Sequence, residues 1–210
     1  MNPIFEFFFE QYSSYKTLDI VLEIIAVIFG FLSVWFSKQN HILVFLTGMI
    51  STLIFVYLLF KWELLGDMMI NAYYFIMSVY GWYIWTRKVD EKQVTPISKT
   101  TNNEKKISII IFLTTLLFVF IVYKIFVKWT NWVAYIDTLT TAIFFVGMWL
   151  MARRKLENWI FWIIGDLISV PLYFYKGFTF TSFQYLMFTF IAIFGYLAWK
   201  KNINNSLQIA

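Results

Sequence analysis

Seven long apolar segments, separated by short polar breaks, make up most of this chain of 210 residues. A helix that crosses the hydrocarbon core of a bilayer needs about 20 apolar residues, whereas a barrel strand needs about 9–11 residues of alternating polarity. These segments are continuously apolar and have the length of helices. They are residues 19–36, 42–60, 67–85, 107–127, 132–151, 158–175 and 178–199. The pattern predicts an all-α integral membrane protein with seven transmembrane helices.

The amino-acid composition is typical of a protein embedded in a bilayer and argues against an enzyme. Hydrophobic residues make up 60% of the chain and charged residues 14%, whereas a soluble domain carries about 25% charge. The chain has no cysteine, one histidine (His41) and no phosphate-binding loop. We therefore predict no catalytic centre, no bound metal and no cofactor.

The basic residues lie in the breaks, on alternating sides of the membrane. With seven spans, one side receives twelve of the 17 Lys and Arg residues. The other side receives Lys16, Lys61, Lys124, Lys128 and Lys176. The positive-inside rule then places the N-terminus outside and the C-terminus in the cytoplasm. We expect the protein in the cell inner membrane. The net charge of +5 is thereby explained by topology, without a nucleic-acid partner.

Two halves of the chain resemble each other at an offset of 114–115 residues. At this offset Lys38 falls on Arg153, Gly81 on Gly195 and Trp85 on Trp199. We predict two three-helix repeats, residues 19–85 and 132–199, joined by a connecting helix at 107–127. Both repeats enter the membrane from the same side, and such parallel repeats are a transporter design with the substrate site between them.

Three polar segments complete the predicted organisation. Residues 1–18 form an N-terminal segment outside or on the membrane surface. Residues 86–106, the one long polar break, form a cytoplasmic linker that we expect to be a mobile loop. Residues 200–210 form a cytoplasmic tail.

Asp166 is the residue most indicative of function. It lies nine residues into the sixth segment, about 13 Å deep at 1.5 Å per residue. A carboxylate near the midplane of the bilayer is costly, so it marks a functional site by default; the alternative is a hydrogen bond that only holds helices together. Trp159 and Trp162 lie on the same helical stripe. Together these residues suit a flat, positively charged ring.

Four further polar residues within the segments are candidates for the same site. They are Ser51, Asn71, Tyr74 and Gln184, and Ser51 is the repeat partner of Asp166. The alternative is that they only pack helices together. For Trp85, Trp159 and Trp199, the alternative is a place in the tryptophan belt at the inner membrane surface.

The sequence resembles a known family at these residues. The segments ENWIFWIIGDLISVPLYFYKG and SFQYLMFTFIAIFGYLAW are similar to the second half of the PnuC nicotinamide riboside transporters. Their hallmark WxxWxxxN is matched by Trp159, Trp162 and Asp166, with aspartate in place of asparagine. LEIIAVIFGFLSVW and NAYYFIMSVYGWYIW resemble the first half, so the resemblance covers about residues 22–201.

The resemblance implies a 3+1+3 helix arrangement similar to that of SWEET sugar transporters, and uptake of a B-type vitamin by facilitated diffusion. It further implies a homotrimer, and a cytoplasmic vitamin kinase that traps the substrate. Trp162 and Asp166 match positions that line the substrate site. Relatives carry nicotinamide riboside, thiamine or riboflavin. The first two bear a positive ring, so an aspartate favours a small cationic vitamin without choosing between them.

Three other functions stay open from the sequence. Asp166 could bind a proton, which leaves a proton-coupled carrier as an alternative. A non-transporting membrane scaffold would have a closed, fully packed centre around Asp166. A membrane-embedded enzyme is disfavoured, because no cluster of histidine, cysteine or acidic residues is present.

Overall fold

The computed structural model describes residues 16–62, 65–89, 92–93, 95–126, 132–176 and 179–209. Each of the seven predicted segments corresponds to one helix. The helices are α1 Thr17–Lys38, α2 Leu43–Lys61, α3 Leu65–Thr86, α4 Asn102–Ile125, α5 Trp132–Ala152, α6 Asn158–Tyr175 and α7 Thr179–Ile209. A short antiparallel hairpin, β1 Lys88–Val89 and β2 Lys92–Gln93, follows α3. Most of the N-terminal segment predicted at 1–18 lies outside the described residues.

The helices have the character of a membrane protein. Within the described ranges, α1, α2, α4, α5 and α7 are long and apolar enough to cross a bilayer. Large apolar side chains cover the outer surface; on α4, Ile109, Leu113 and Leu117 are each more than half exposed. A surface of this kind needs lipid around it. The prediction of an all-α integral membrane protein is confirmed.

Six of the helices form a closed ring. Each contacts the next in the order α1, α2, α3, α5, α6, α7, and α7 returns to α1. Helix α4 stands outside this ring and packs against α5, with a smaller contact to α3. The ring therefore contains the six helices that the sequence analysis assigned to the two triplets, and α4 lies outside it.

The turns α1–α2 and α5–α6 have the same backbone structure. Asn40 and Arg154 both have φ of 54°, in the left-handed region. Asn40 N–H donates to Ser37 O, and Arg154 N–H donates to Met151 O, both at 2.9 Å. Each residue lies 114 positions from its counterpart, so the register of the two halves at these turns is 114. We call the end of the ring that carries these turns the turn end.

A shared packing unit closes the ring at the turn end. In each half an aromatic ring lies on a glycine and meets the edge of a tryptophan. The two units are Phe45 with Gly81 and Trp85, and Trp159 with Gly195 and Trp199. The ring planes cross at 88° and 89°, with centroids 4.9 and 5.5 Å apart.

These tryptophans are buried in the protein and do not form the interfacial belt that was the alternative interpretation. Trp85, Trp159 and Trp199 are 3%, 1% and 1% exposed. Trp85 Nε1–H donates to Ala152 O at 3.1 Å and joins α3 to α5. Trp199 Nε1–H donates to Ser37 O at 3.0 Å and joins α7 to α1. A buried indole N–H is usually paired with such an acceptor, so Trp85 and Trp199 fasten the α3–α5 and α7–α1 seams.

The second part of the 86–106 linker is held in place, in contrast to the mobile loop expected there. Ser98 N–H donates to Arg154 O at 3.1 Å, and Leu156 N–H donates to Ser98 O at 2.9 Å. Thr100 N–H donates to Glu157 Oε2 at 2.8 Å. A polar segment can be fixed in this way because its backbone finds partners on the α5–α6 turn.

A buried charge network fastens the start of α4 to the same turn. Thr101 and Glu104 form a capping box at the N-terminus of α4. Glu104 also pairs with Arg153 at 3.2 Å and with Lys155 at 3.1 Å. The Arg154 guanidinium lies 4.0 Å from the centroid of the Trp85 ring, and burial lowers its pKa to about 10. The α3–α5 seam thus carries contacts from the linker and from α4.

The last helix is longer than its predicted span. The sequence assigned a span to residues 178–199 and a tail to 200–210, but α7 continues as one helix to Ile209. Nothing in the sequence KKNINNSLQ breaks a helix, because it contains neither glycine nor proline.

Replacing Gly81 by alanine should destabilise the protein. The new methyl group would overlap the ring of Phe45, which is fully buried and has no room to move. Overpacking of this kind costs about 1–3 kcal/mol, which we expect as a lower midpoint of thermal unfolding in detergent.

Gly30→Ala is the matched control, since its added methyl group would lie 3.3 Å from Ser51 Oγ and requires only a small shift. Equal midpoints for the two variants would contradict the packing unit described here.

Candidate functional site

The centre of the helix ring holds a cavity of about 270 Å³. All six ring helices line it, and α4 contributes no lining residue. All seven candidate residues from the sequence analysis lie on its wall. They are Ser51, Asn71, Tyr74, Trp159, Trp162, Asp166 and Gln184. Residues from four different helices are thereby brought to one place.

Asp166 carries the only acidic side chain among the described residues that line the cavity. It is 2% exposed. Within the described part of the chain, no basic group lies within 4.0 Å of its carboxylate, and no hydrogen bond reaches it. A buried charge without a partner costs several kcal/mol, so the site leaves this carboxylate available for a proton or a cationic guest.

An aromatic wall stands beside this carboxylate. Trp162 lies one helical turn before Asp166 and stacks on Phe144, with centroids 5.4 Å apart and planes at 29°. Phe144 in turn lies parallel to Tyr185, at 6.1 Å and 10°. Gly165 lets Phe144 approach α6, because a side chain at residue 165 would overlap that ring. Trp162, Phe144 and Tyr185 all line the cavity, so a flat ligand can contact aromatic side chains there.

Phe144 and Tyr185 are among the lining residues that sequence reasoning missed. The sequence does contain a signal for the first. At the offset of 114, Phe144 corresponds to Gly30, and Trp162 corresponds to Gly48. One half therefore places glycine where the other places an aromatic ring. The lining of the cavity is therefore asymmetric. Its residues on α1 and α2 are mostly small, whereas α5 and α6 contribute aromatic rings.

The register at the turns changes two predicted counterparts. At an offset of 114, Arg153 corresponds to Gln39 and not to Lys38. We predicted Ser51 as the counterpart of Asp166, but at an offset of 114 the counterpart is Thr52. Both residues line the cavity. Ser51 Oγ–H donates to Ala26 O at 2.7 Å and Thr52 Oγ1–H to Gly48 O at 2.8 Å, so both hydroxyls are engaged in packing.

Other polar atoms at the wall can orient a ligand. Asn71 Nδ2–H donates to Asp67 O at 3.0 Å, one turn earlier on α3. The buried Trp159 Nε1–H finds no acceptor among the described residues. Gln184 adds an amide and Tyr74 a hydroxyl. Hydroxyls and amides suit the hydroxyl groups of a sugar.

The composition of the cavity wall also indicates which ligands it does not favour. Among the described residues that line the cavity, none is lysine, arginine or histidine. Phosphate is normally bound by arginine, lysine or the N-terminus of a helix. A small organic cation therefore fits this lining better than a phosphorylated anion.

Replacing Asp166 by leucine should not destabilise the empty protein. The change removes a buried polar group that has no partner among the described residues. We therefore expect the midpoint of thermal unfolding in detergent at neutral pH to stay equal or to rise. Each kcal/mol gained in the free energy of unfolding corresponds to a rise of about 2–4 °C. Asp166→Asn, which keeps the shape of the side chain, is the control. A loss of about 3–5 kcal/mol would instead indicate a permanent ion pair and would contradict the geometry described here.

A family model described as nicotinamide mononucleotide transporter matches residues 20–201. The nicotinamide riboside transporter PnuC of Escherichia coli (strain K12) is 24% identical over 205 residues, which covers 85% of this chain and 84% of that protein. The riboflavin/roseoflavin transporter RibM of Streptomyces davaonensis is 29% identical over 145 residues, which covers 67% of this chain and 66% of that protein.

A solved structure has the same fold. The crystal structure of the vitamin B3 transporter PnuC aligns with a TM-score of 0.65 at 21% identity, covering 90% of this chain and 84% of that one. The match of the family model extends over nearly all the described helices. The chain therefore belongs to the PnuC family of membrane transporters, which are not enzymes.

Proposed function

We propose that this protein carries nicotinamide riboside into the cell by facilitated diffusion, and that a cytoplasmic kinase then traps the vitamin. The observation that carries the proposal is the buried carboxylate of Asp166, which faces a cavity beside an aromatic wall and has no basic partner among the described residues. The similarity to the PnuC protein of Escherichia coli, a nicotinamide riboside transporter, supports it.

The ligand has groups that match the wall. Its pyridinium ring is flat and permanently positive, so it can stack on Trp162 and lie next to the Asp166 carboxylate. Its ribose hydroxyls and carboxamide can bond to Asn71, Tyr74 and Gln184. The mononucleotide named in the family description adds a phosphate, for which the described lining offers no basic residue.

Two other vitamins are weaker candidates. Thiamine is also a flat cation. The relatives reported above carry nicotinamide riboside or riboflavin, so the comparisons favour these two ligands over thiamine. Riboflavin is neutral and larger, so it gains less from Asp166 and fits less well in a cavity of about 270 Å³.

A non-transporting scaffold would have a packed centre, and the presence of a cavity argues against it.

The arrangement we propose has seven spans, in two parallel triplets with α4 as connector. The closed ring, the equal turns and the two glycine–tryptophan units support it. The buried core lies at the turn end, where Trp85, Trp159 and Trp199 close the cavity. If the turn end faces the cytoplasm, as the basic residues suggest, substrate enters from outside and one triplet rocks against the other to release it. The homotrimer implied by the family resemblance completes the proposal.

Binding of nicotinamide riboside to the purified protein should quench its tryptophan fluorescence. Asp166→Ala should weaken binding by about 5- to 30-fold or more, since loss of a paired charge in a dry site costs at least about 1–2 kcal/mol. Trp162→Ala should weaken it by a similar factor through lost stacking. Titration of each variant with nicotinamide riboside, thiamine and riboflavin measures these effects.

Trp149→Ala is the matched control for Trp162→Ala, because Trp149 lines a separate crevice between α3, α4 and α5. Its affinity should equal that of the unchanged protein. Saturable binding of riboflavin but of neither cation would overturn the proposed substrate.

A further inference from the structure

We propose that Phe144 limits the width of the ring system that the cavity accepts, so that a single cationic ring binds and a fused ring system is rejected. This inference rests on the proposed function and names a residue that determines its specificity. It starts from the helix pairs α1–α2 and α5–α6, which correspond to each other at the offset of 114.

Helices α1 and α2 meet at two pairs of small residues. A Cβ atom added to Gly30 would lie 3.3 Å from Ser51 Oγ, and one added to Gly48 would lie 3.1 Å from Ser33 Oγ. Each serine hydroxyl also donates to a backbone carbonyl of the facing helix at 2.7 Å. All four residues line the cavity, so this wall is built from small side chains.

Helices α5 and α6 meet at the same four positions, but two of them carry aromatic rings. Positions 30 and 51 correspond to Phe144 and Gly165, and positions 48 and 33 correspond to Trp162 and Gly147. A Cβ atom added to Gly165 would overlap the ring of Phe144, and one added to Gly147 would lie 3.5 Å from Trp162 Cε2. Each ring therefore lies against a glycine of the facing helix, and the rings line the cavity where the glycines do not.

Phe144 occupies space on one wall that Gly30 leaves open on the wall across the ring of helices. Its side chain stacks on Trp162 with centroids 5.4 Å apart and lies parallel to Tyr185 at 6.1 Å. The close contact with Gly165 leaves it no room to move towards α6. Because protein interiors are close-packed, the ring cannot move aside for a wider ligand without losing these contacts. Phe144 thus limits the width of the space of about 270 Å³ that remains.

Charge and ring width are recognised by different residues. Asp166 lies on α6 and distinguishes a cation from a neutral ligand, whereas Phe144 lies on α5 and carries no charge. Rejection of a wider ring adds an unfavourable contact with the wrong ligand and leaves the attraction for the right one unchanged. A cation with a wider ring should therefore be rejected although its charge is the same.

The first half of the chain shows how the ring can be removed without loss of helix packing. Gly30 and Ser51 hold α1 against α2 at the positions that Phe144 and Gly165 occupy between α5 and α6. The double exchange Phe144→Gly with Gly165→Ser copies this pair into the second half. The introduced serine can donate to the backbone carbonyl of Thr140, the counterpart of the acceptor that Ser51 uses in the first half.

The test uses a ligand that differs from nicotinamide riboside only in the width of its ring. Its quinolinium analogue keeps the positive charge, the carboxamide and the ribose, and adds one fused ring. We expect the unchanged protein, titrated by tryptophan quenching, to bind nicotinamide riboside at least about tenfold more tightly than the analogue. A hydrophobic pocket discriminates by about 10- to 200-fold on a difference as small as one methylene group.

Phe144→Leu and the double exchange should both reduce this preference. We expect it to fall at least about threefold in Phe144→Leu, which shortens the side chain, and further in the double exchange, which removes it. Phe145→Leu is the matched control, because Phe145 is the next residue of α5, is similarly buried and lines the separate crevice, where it stacks on Tyr73. Its preference should equal that of the unchanged protein.

Equal affinities of the unchanged protein for the two cations would overturn the role assigned to Phe144. An unaltered preference in Phe144→Leu, or an equal fall in Phe145→Leu, would also overturn it. Failure of the unchanged protein to bind nicotinamide riboside would instead overturn the proposed function. The unchanged protein and the two leucine variants decide the question even if the double exchange does not fold.

Discussion

An acidic side chain buried in the centre of the helix ring, with no counter-ion among the described residues, constrains the rest of this structure. Asp166 is 2% exposed and faces a cavity formed by six helices. Lipid cannot solvate a carboxylate, and a permanent ion pair would fill the space that a ligand needs. The site can persist only if the surrounding helices keep the cavity open while the ends of the bundle supply stability.

The ends of the bundle meet that requirement with paired charges and packed aromatic rings. Ion pairs tie α1 to α2 and α5 to α6 at one end, through Asp19 with Lys61 and Asp137 with Lys176. At the turn end, the indole N–H groups of Trp85 and Trp199 bridge the two seams between the triplets. Polar interactions of this kind stabilise the frame because their partners are present within the protein.

The repeat explains both the symmetry of the frame and the asymmetry of the site. The turns and the glycine–tryptophan units match across the two halves, and these elements hold the ring together. The cavity residues do not match, since Gly30 and Gly48 stand opposite Phe144 and Trp162 in register. A ligand with one flat charged ring and one polar portion needs two different walls, which a perfectly symmetric pair of triplets would not provide.

The membrane made much of the fold predictable from the sequence. A bilayer forces each long apolar segment into a helix, so the helices and a polar cavity residue such as Asp166 could be inferred from length and burial cost alone. The same reasoning led to Asn71, Tyr74 and Gln184, because polar residues in a span must face the interior. Side-chain packing was harder to predict. Tyr185 looks like any other aromatic residue of a span, and Phe144 stands out only once the register of 114 between the halves is known. Trp85 and Trp199 look like belt residues until the facing carbonyls are known. The docking of residues 95–101 depends on backbone hydrogen bonds that leave no pattern in a sequence.

A pair of ligands that differ only in the charge of the ring tests most directly whether Asp166 recognises the positive ring. Nicotinamide riboside has a positive ring, whereas its reduced form has the same sugar and substituents on a neutral ring. The affinities of both forms should be measured for the unchanged protein and for Asp166→Asn. We predict that the unchanged protein prefers the cation at least tenfold, about 1.4 kcal/mol, and that the preference disappears in Asp166→Asn. An equal ratio of the two affinities in both proteins would contradict the account, because the carboxylate would then contribute nothing to recognition of the positive ring.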